Sequence, residues 1–309
     1  MRYLHSLWGS RMARRNLLFG ILFASPWIIG VCSFVLYPVM SSAYSSLTEY
    51  SVLNPEKTFV GLANYQDLIL DDPVFVRSFL NSLYYAVFAI PLSIVVGVSI
   101  ALMLNLKVKG KEIYRTIYFL PVLIPDVALA VVWLWVFNSQ FGVANTLLWQ
   151  VLRIEGPGWL ASPQWSKPTI ILLTLWTVGQ AVVIYLSGLQ DVPQSLYDAA
   201  QVDGANPWQK TRFITIPMIS PVIFFNLIMG MISAFQYFTI AQVITGGDGK
   251  PGQSLLFYAM YLYRNAFVYY KMGLASAQAW ILFCIVLICT LIMFSTSARW
   301  VYYGGQDTD

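Results

Sequence analysis

Residues 191–221 read DVPQSLYDAAQVDGANPWQKTRFITIPMISP, a polar segment set between two long apolar runs. Its punctuation is too regular for a plain connector. Pro193 ends the helix before it. Ser195 is placed to cap a short helix, with Asp198 three residues on at capping-box spacing. About two helical turns follow over 197–202, and Gly204 stands where a left-handed residue would end them. Asn206 then Pro207 reads as a second start, N-cap followed by first helical position. That helix runs to about Thr215, and Pro217 opens the next apolar run. The middle of the first short helix is Ala199 and Ala200. Small side chains let another protein surface approach closely, and a rigid helix transmits a push that a flexible loop would absorb. A helix lying on lipid headgroups is the alternative. Asp198 and Asp203 argue against it, because interfacial helices present Lys and Arg to anionic lipid.

Outward from this loop the chain is apolar. Of 309 residues, 58% are hydrophobic and 10% charged, against about 25% charged in soluble domains. So little charge cannot clothe a water-facing surface. Six runs reach the roughly 20 residues a bilayer requires: 16–39, 79–104, 116–137, 168–189, 218–244 and 274–296. Helices are expected in them, because an unpaired backbone group in lipid costs several kcal/mol. The fold class is therefore an all-α polytopic membrane protein with six transmembrane helices. Residues 1–15 read as a cytoplasmic N-terminal segment, 16–300 as the membrane domain with the ordered loop at 191–217, and 301–309 as a cytoplasmic tail.

Orientation follows Lys and Arg. Arg2, Arg11, Arg14, Arg15, Lys107, Lys109, Lys111 and Arg115 cluster on the side that holds the N-terminus, which places both termini in the cytoplasm. The first apolar run is longer than the usual ~7–15-residue core of a signal peptide and lacks a clear small-residue cleavage site, so it reads as a retained helix. Trp27, Trp159, Trp300, Tyr302 and Tyr303 suit an interfacial aromatic belt. Cys32, Cys284 and Cys289 all lie in apolar segments and read as small packing residues.

Several function classes are excluded. No G-x-x-x-x-G-K-[ST] phosphate loop occurs. The single histidine, His5, supports neither a metal cluster nor a nucleophile–base pair. No clustered basic stripe suggests nucleic acid. Catalysis, metal binding and ATP binding are not expected of this chain. A secondary transporter would want paired acids in facing helices or inverted halves, and Asp126 stands alone.

Asp126 lies at membrane depth, behind Pro125 and five residues after Pro121. An intramembrane carboxylate is expensive and is a candidate functional group. An Asp held by a neighbouring helix, with no solute role, is the even alternative. Trp176, Thr177 and Gln180 share about one face of the fourth run. The fifth run holds Asn226, Gln236, Tyr237 and Gln242. Aromatic faces with amides and carboxylates are what a sugar needs. Interhelical hydrogen bonding, about 0.6 kcal/mol each, is the preferred reading of Asn226 and Gln242, and packing that of Trp133 and Trp135.

The loop resembles the cytoplasmic "EAA" loop of ABC importer permeases, on Asp198, Ala199, Ala200, Gly204, Ile216 and Pro217. Asp198 replaces the usual Glu, and Thr211 stands where an aromatic residue is common. FVGLANYQDLI, RTIYFLPVLIPDVALAVVWLWVFNSQFGVAN, SLLFYAMYLYRNAF and GLASAQAWILF extend the likeness to nearly the whole chain, closest to the maltose/glycerol-phosphate type of carbohydrate permease. The resemblance implies the type I ABC importer permease fold and a prokaryotic inner (plasma) membrane location. It implies that these six residues form the element that couples to the ATPase. It implies a solute pathway past Asp126, Trp176, Thr177, Gln180, Gln236 and Tyr237. It also implies partners: a second, related permease subunit in a heterodimer, an ATPase dimer that holds ATP and Mg, an extracytoplasmic solute-binding protein, membrane lipid, and a small carbohydrate-like solute.

Overall fold

The computed structural model describes residues 11–54, 56–106 and 109–302. The cations at 2 and 107, His5 and the tail from 303 lie outside the described residues. The chain is helical almost throughout. α1 (Met12–Ser46) is followed by a short hairpin, β1 (Thr48–Glu49) paired antiparallel with β2 (Thr58–Phe59). Next come α2 (Ala63–Gln66), then α3 (Pro73–Asn105), the longest element after α1. α4 (Lys111–Phe119) and α5 (Asp126–Val136) follow, then α6 (Val143–Leu152), α7 (Pro163–Trp176) and α8 (Gly179–Gln190). The loop after α8 holds α9 (Gln194–Val202) and α10 (Pro207–Lys210). The rest comprises α11 (Ser220–Phe235), α12 (Thr239–Thr245), α13 (Tyr258–Tyr263) and α14 (Met272–Ser297).

Four stretches cross a bilayer by length and composition: Met12–Ser46, Pro73–Asn105, Ser220–Thr245 and Met272–Ser297. Two further candidates are broken. Lys111–Leu123 meets Asp126–Val136 at 97°, and Pro163–Trp176 meets Gly179–Gln190 at 50°. The expected six helices are reached only when each bent pair counts as one span. The first break has a local cause. Proline drives the residue before it into extended conformation, and Ile124, ahead of Pro125, has ψ 125°. Asp126 is thus the first residue of α5, not an interior residue of an unbroken helix. The fifth helix, expected to be continuous over 218–244, breaks at Gln236–Phe238 between α11 and α12.

The loop of α9 and α10 departs from expectation in its caps. Ser195 does not cap α9. The helix already begins at Gln194 behind Pro193, with no side-chain cap, so Ser195 sits inside it. Asp198 instead accepts from the Gln194 amide at 3.1 Å. Gly204 does take the left-handed conformation, φ 77°. Asn206 does cap α10, and Gln209 completes the box. The Gln209 N–H donates to Asn206 Oδ1 and the Asn206 N–H to Gln209 Oε1, both at 2.8 Å. α10 continues through a π-helical stretch, Thr211–Thr215, into Ile216–Met218. Pro217 therefore lies within a helical turn, and Ser220 with Pro221 opens α11.

α3 organises the bundle and packs against α8, α11, α7 and α13. Asp72 caps it, accepting from the N–H groups of Val74 (2.9 Å) and Phe75 (3.1 Å). Buried apolar side chains form two clusters. One gathers Phe75, Tyr85, Ile170, Phe235, Phe257 and Tyr258. The other gathers Val98, Leu104, Val182, Tyr185, Leu189 and Ile219. Among the described residues, Ile94 is the one apolar side chain packed against both. α1 stands apart. Its final turns, Tyr37–Ser46, pack on α14, while Leu18, Phe23, Trp27 and Phe34 are exposed.

Candidate functional site

A cavity of about 520 Å³ opens where the two clusters meet. α3 contributes Tyr85, Ala89, Ile90 and Ser93. The α7–α8 corner contributes Thr174, Thr177, Gln180 and Tyr185, and α11 contributes Phe225, Asn226, Gly230 and Ser233, with Tyr237 just beyond it. No lining residue carries a formal charge. The volume lies within the roughly 300–1,000 Å³ of small-molecule sites. The wall has a built aromatic corner. Tyr85 and Tyr237 rings lie 4.5 Å apart, and Phe257 meets Tyr237 edge-on at 5.2 Å. The Tyr85 hydroxyl bonds to Thr174 Oγ1 at 2.8 Å, tying α3 to α7.

Two lining hydroxyls differ from the rest. Ser93 Oγ and Tyr237 Oη are buried and have no protein partner. A buried polar group left unpaired costs about 1–3 kcal/mol. Both belong to residues that line the cavity.

Of the residues expected along the solute path, Thr177, Gln180 and Tyr237 line this cavity. Trp176, Gln236 and Asp126 are exposed and lie outside its lining. Trp176 leans edge-on against Trp133, centroids 5.6 Å apart. Gln236 ends α11 at the break before Tyr237. α5 packs on α12, which brings Asp126 close enough for its charge to act on the Tyr237 phenol. Asn226, assigned by sequence to interhelical bonding, lines the cavity, and its amide donates to Val222 O one turn back in its own helix (2.9 Å). Tyr85 and Ser93 were missed. The available signal was the spacing Tyr85–Ala89–Ser93, one face of α3 in which a small residue leaves room between two hydroxyls.

The loop of α9 and α10 presents a second surface. Ala199 is exposed, and Ala200 edges a hollow shared with Asp203, Gly204, Gln209, Lys210 and Phe213. The apolar side chains around it escaped the sequence reading. Val202 is 88% exposed, Phe213 72% and Trp208 71%. These three large apolar groups stand exposed along the stretch from the end of α9 through α10 to the π-helical turn. Phe213 stands two residues beyond Thr211, so an aromatic group is present although not at the expected position. Ile216 and Pro217 are half-buried and belong to the link into α11.

Residues 75–302 match the family model described as binding-protein-dependent transport system inner membrane component. The chain belongs to that family. It is an ABC transporter permease, and in such transporters ATP hydrolysis occurs in separate subunits. The permease is 40% identical over 299 residues to the probable ABC transporter permease protein YesP of Bacillus subtilis, covering 96% of each chain. It is 34% identical to the lactose transport system permease protein LacF of Rhizobium radiobacter (89% of this chain, 91% of the relative). It is 31% identical to the trehalose/maltose transport system permease protein MalF of Thermococcus litoralis (92% and 95%). A chain of a bacterial alginate ABC transporter, solved with an alginate pentasaccharide-bound periplasmic protein, superposes with a TM-score of 0.79 at 23% identity, over 93% of this chain and 95% of that one. The permease thus has the type I ABC importer permease fold and is an inner-membrane component.

Proposed function

We propose that this permease forms half of the translocation pore for a sugar or sugar-like solute, delivered by an extracytoplasmic binding protein. Its pore partner is a second, related permease, and ATP and Mg are held by an ATPase dimer docked on α9. Both termini are cytoplasmic, and residues 191–217 are the coupling element within a membrane domain spanning 16–300. The observation that carries the sugar reading is the uncharged cavity with two unpartnered hydroxyls, Ser93 Oγ and Tyr237 Oη, beside a pair of tyrosine rings tilted against each other. Sugars offer hydroxyls to such groups and C–H faces to aromatic rings. Relatives named for lactose and for trehalose/maltose support the solute class. Gln180 and Thr177 complete the polar lining. Asp126, Trp176 and Gln236 sit at the three helix breaks around it and act on its rim. The test is uptake by the reconstituted importer across a saccharide panel. Saturable uptake of a saccharide that drops in the Ser93→Ala and Tyr237→Phe permeases supports the reading. Uptake restricted to non-saccharide solutes refutes it.

A further inference from the structure

Two cations stand at the outer end of the α3–α7 seam without a carboxylate. Arg77 is exposed on α3, and its Nη1 donates to Gln253 Oε1 at 3.3 Å. Lys167, on α7, places its Nζ 5.1 Å from the centre of the Tyr84 ring. Arg77 reaches Gln253 while Ser166, the neighbour of Lys167, reaches Ser254, so both cations stand at one loop. The ion pairs among the described residues join Arg115 to Glu112 and Lys250 to Asp248, so neither cation is neutralised. Asp72, five residues before Arg77, is already engaged by the Val74 and Phe75 N–H groups and by the Tyr261 hydroxyl.

Like charges held together cost energy unless an anion joins them. The arrangement is also braced. Gln253, which receives Arg77, sits in the left-handed region at φ 59°. That conformation is uncommon for a residue with a side chain. Its carbonyl accepts from the buried Asn81 amide at 2.8 Å, which fixes the loop on α3. Ser166, next to Lys167, bonds to Ser254 Oγ at 2.7 Å, fixing the same loop on α7.

The pair is in line with the cavity. Lys167 and Thr174 are seven residues apart on one face of α7, and Thr174 lines the cavity. Arg77 stands two turns above Tyr84 and Tyr85 on α3. Seven residues of helix rise about 10 Å, a gap longer than one pyranose ring. The cavity below holds no cation to receive a carboxylate.

We propose that Arg77 and Lys167 form an anion site at the outer mouth of the pathway, which takes the carboxylate of an acidic oligosaccharide whose neutral end enters the cavity. The proposal rests on the reading of that cavity as a sugar path. Arg77 offers a planar fork suited to a carboxylate, and Lys167 adds a point charge. Together they steer the acid toward the mouth and hold the chain with its charged end outward.

The test uses the assembled importer, with its partner permease and ATPase, in lipid nanodiscs without binding protein. Affinities for galacturonobiose and for neutral galactobiose are measured by calorimetry at low and high salt. The expected result is at least a ten-fold preference for the acid at low salt. The preference shrinks in high salt and vanishes in the Arg77→Gln/Lys167→Gln double variant, with galactobiose affinity unchanged. Equal affinities, no binding of the acid, or a preference that survives the double variant overturns the proposal. So does native mass spectrometry that shows the double variant losing a bound phospholipid with saccharide binding unchanged, which makes the pair a lipid anchor. Galactobiose binding insensitive to Ser93→Ala and Tyr237→Phe would defeat the cavity reading itself, a result separate from failure of the anion site.

Discussion

The hydroxyls of Tyr197 and Thr215 meet at 2.9 Å, joining α9 to the helical stretch that leads into α11. Thr215 is buried, and α11 supplies one wall of the cavity. A push on α9 therefore reaches the cavity wall through a direct bond as well as through the chain. Tyr197→Phe keeps the ring and removes that bond, worth about 0.5–1.5 kcal/mol. The expected outcome is normal ATPase co-purification with fewer solute molecules imported per ATP, read by paired uptake and hydrolysis assays.

Gly204→Val and Ala200→Arg attack the same element by different means. Valine at φ 77° is strained, by roughly 1–2 kcal/mol. Arginine at Ala200 fills the hollow beside Gly204. Both variants should insert normally yet release the ATPase or uncouple its hydrolysis from uptake. Wild-type behaviour in co-purification and in solute-stimulated hydrolysis would remove α9 as the docking element.

Ser93→Ala and Tyr237→Phe each delete a hydroxyl with no protein partner. Neither deletion breaks a hydrogen bond in the fold, so thermal stability of the purified importer should hold or rise. Uptake should fall about five-fold for each, the equivalent of about 1 kcal/mol of lost solute bonding. Tyr85→Phe is the contrast, because it severs the bond to Thr174 and should lower stability as well.

Asp126→Asn keeps the shape of the first residue of α5 and removes the charge felt by Tyr237. Assembly should be unaffected and uptake reduced. Size-exclusion chromatography of the complex separates the two possibilities. A complex that falls apart would make Asp126 a packing residue and end its assignment to the solute path.

Gly179→Val tests the α7–α8 corner. A Cβ at Gly179 would run into the Tyr118 carbonyl oxygen, an atom of the backbone that cannot swing aside. Overpacking of this kind costs about 1–3 kcal/mol. The melting temperature of the purified importer should drop by several degrees, and uptake should fall with it.

Much of this was legible before any coordinates. Apolar length located the membrane segments, and Gly204 and Asn206–Pro207 carried their conformations in their chemistry. Ser195 misled because capping spacing is common, whereas Pro193 two residues earlier already sets the helix start. The breaks at Pro125, Thr177 and Gln236 were hidden differently. Hydropathy sums over a window and is blind to direction, so a run that turns by 97° looks like one that goes straight. Ser93 and Tyr85 were hidden because a hydroxyl in an apolar run has many uses, and only the empty space opposite it distinguishes them. Val202, Trp208 and Phe213 look like ordinary core residues until the fold leaves them in water.

Among the described residues, Ile94 is the one apolar side chain that packs against both buried clusters. The two clusters thus meet at a narrow waist beside the cavity, and the unbroken α3 runs through both. Such an object rocks more readily than it stretches. Tilting one cluster against the other would widen the cavity on one side and narrow it on the other. The same seesaw would let a motor beneath the membrane decide which side the solute sees, with neither cluster needing to come apart.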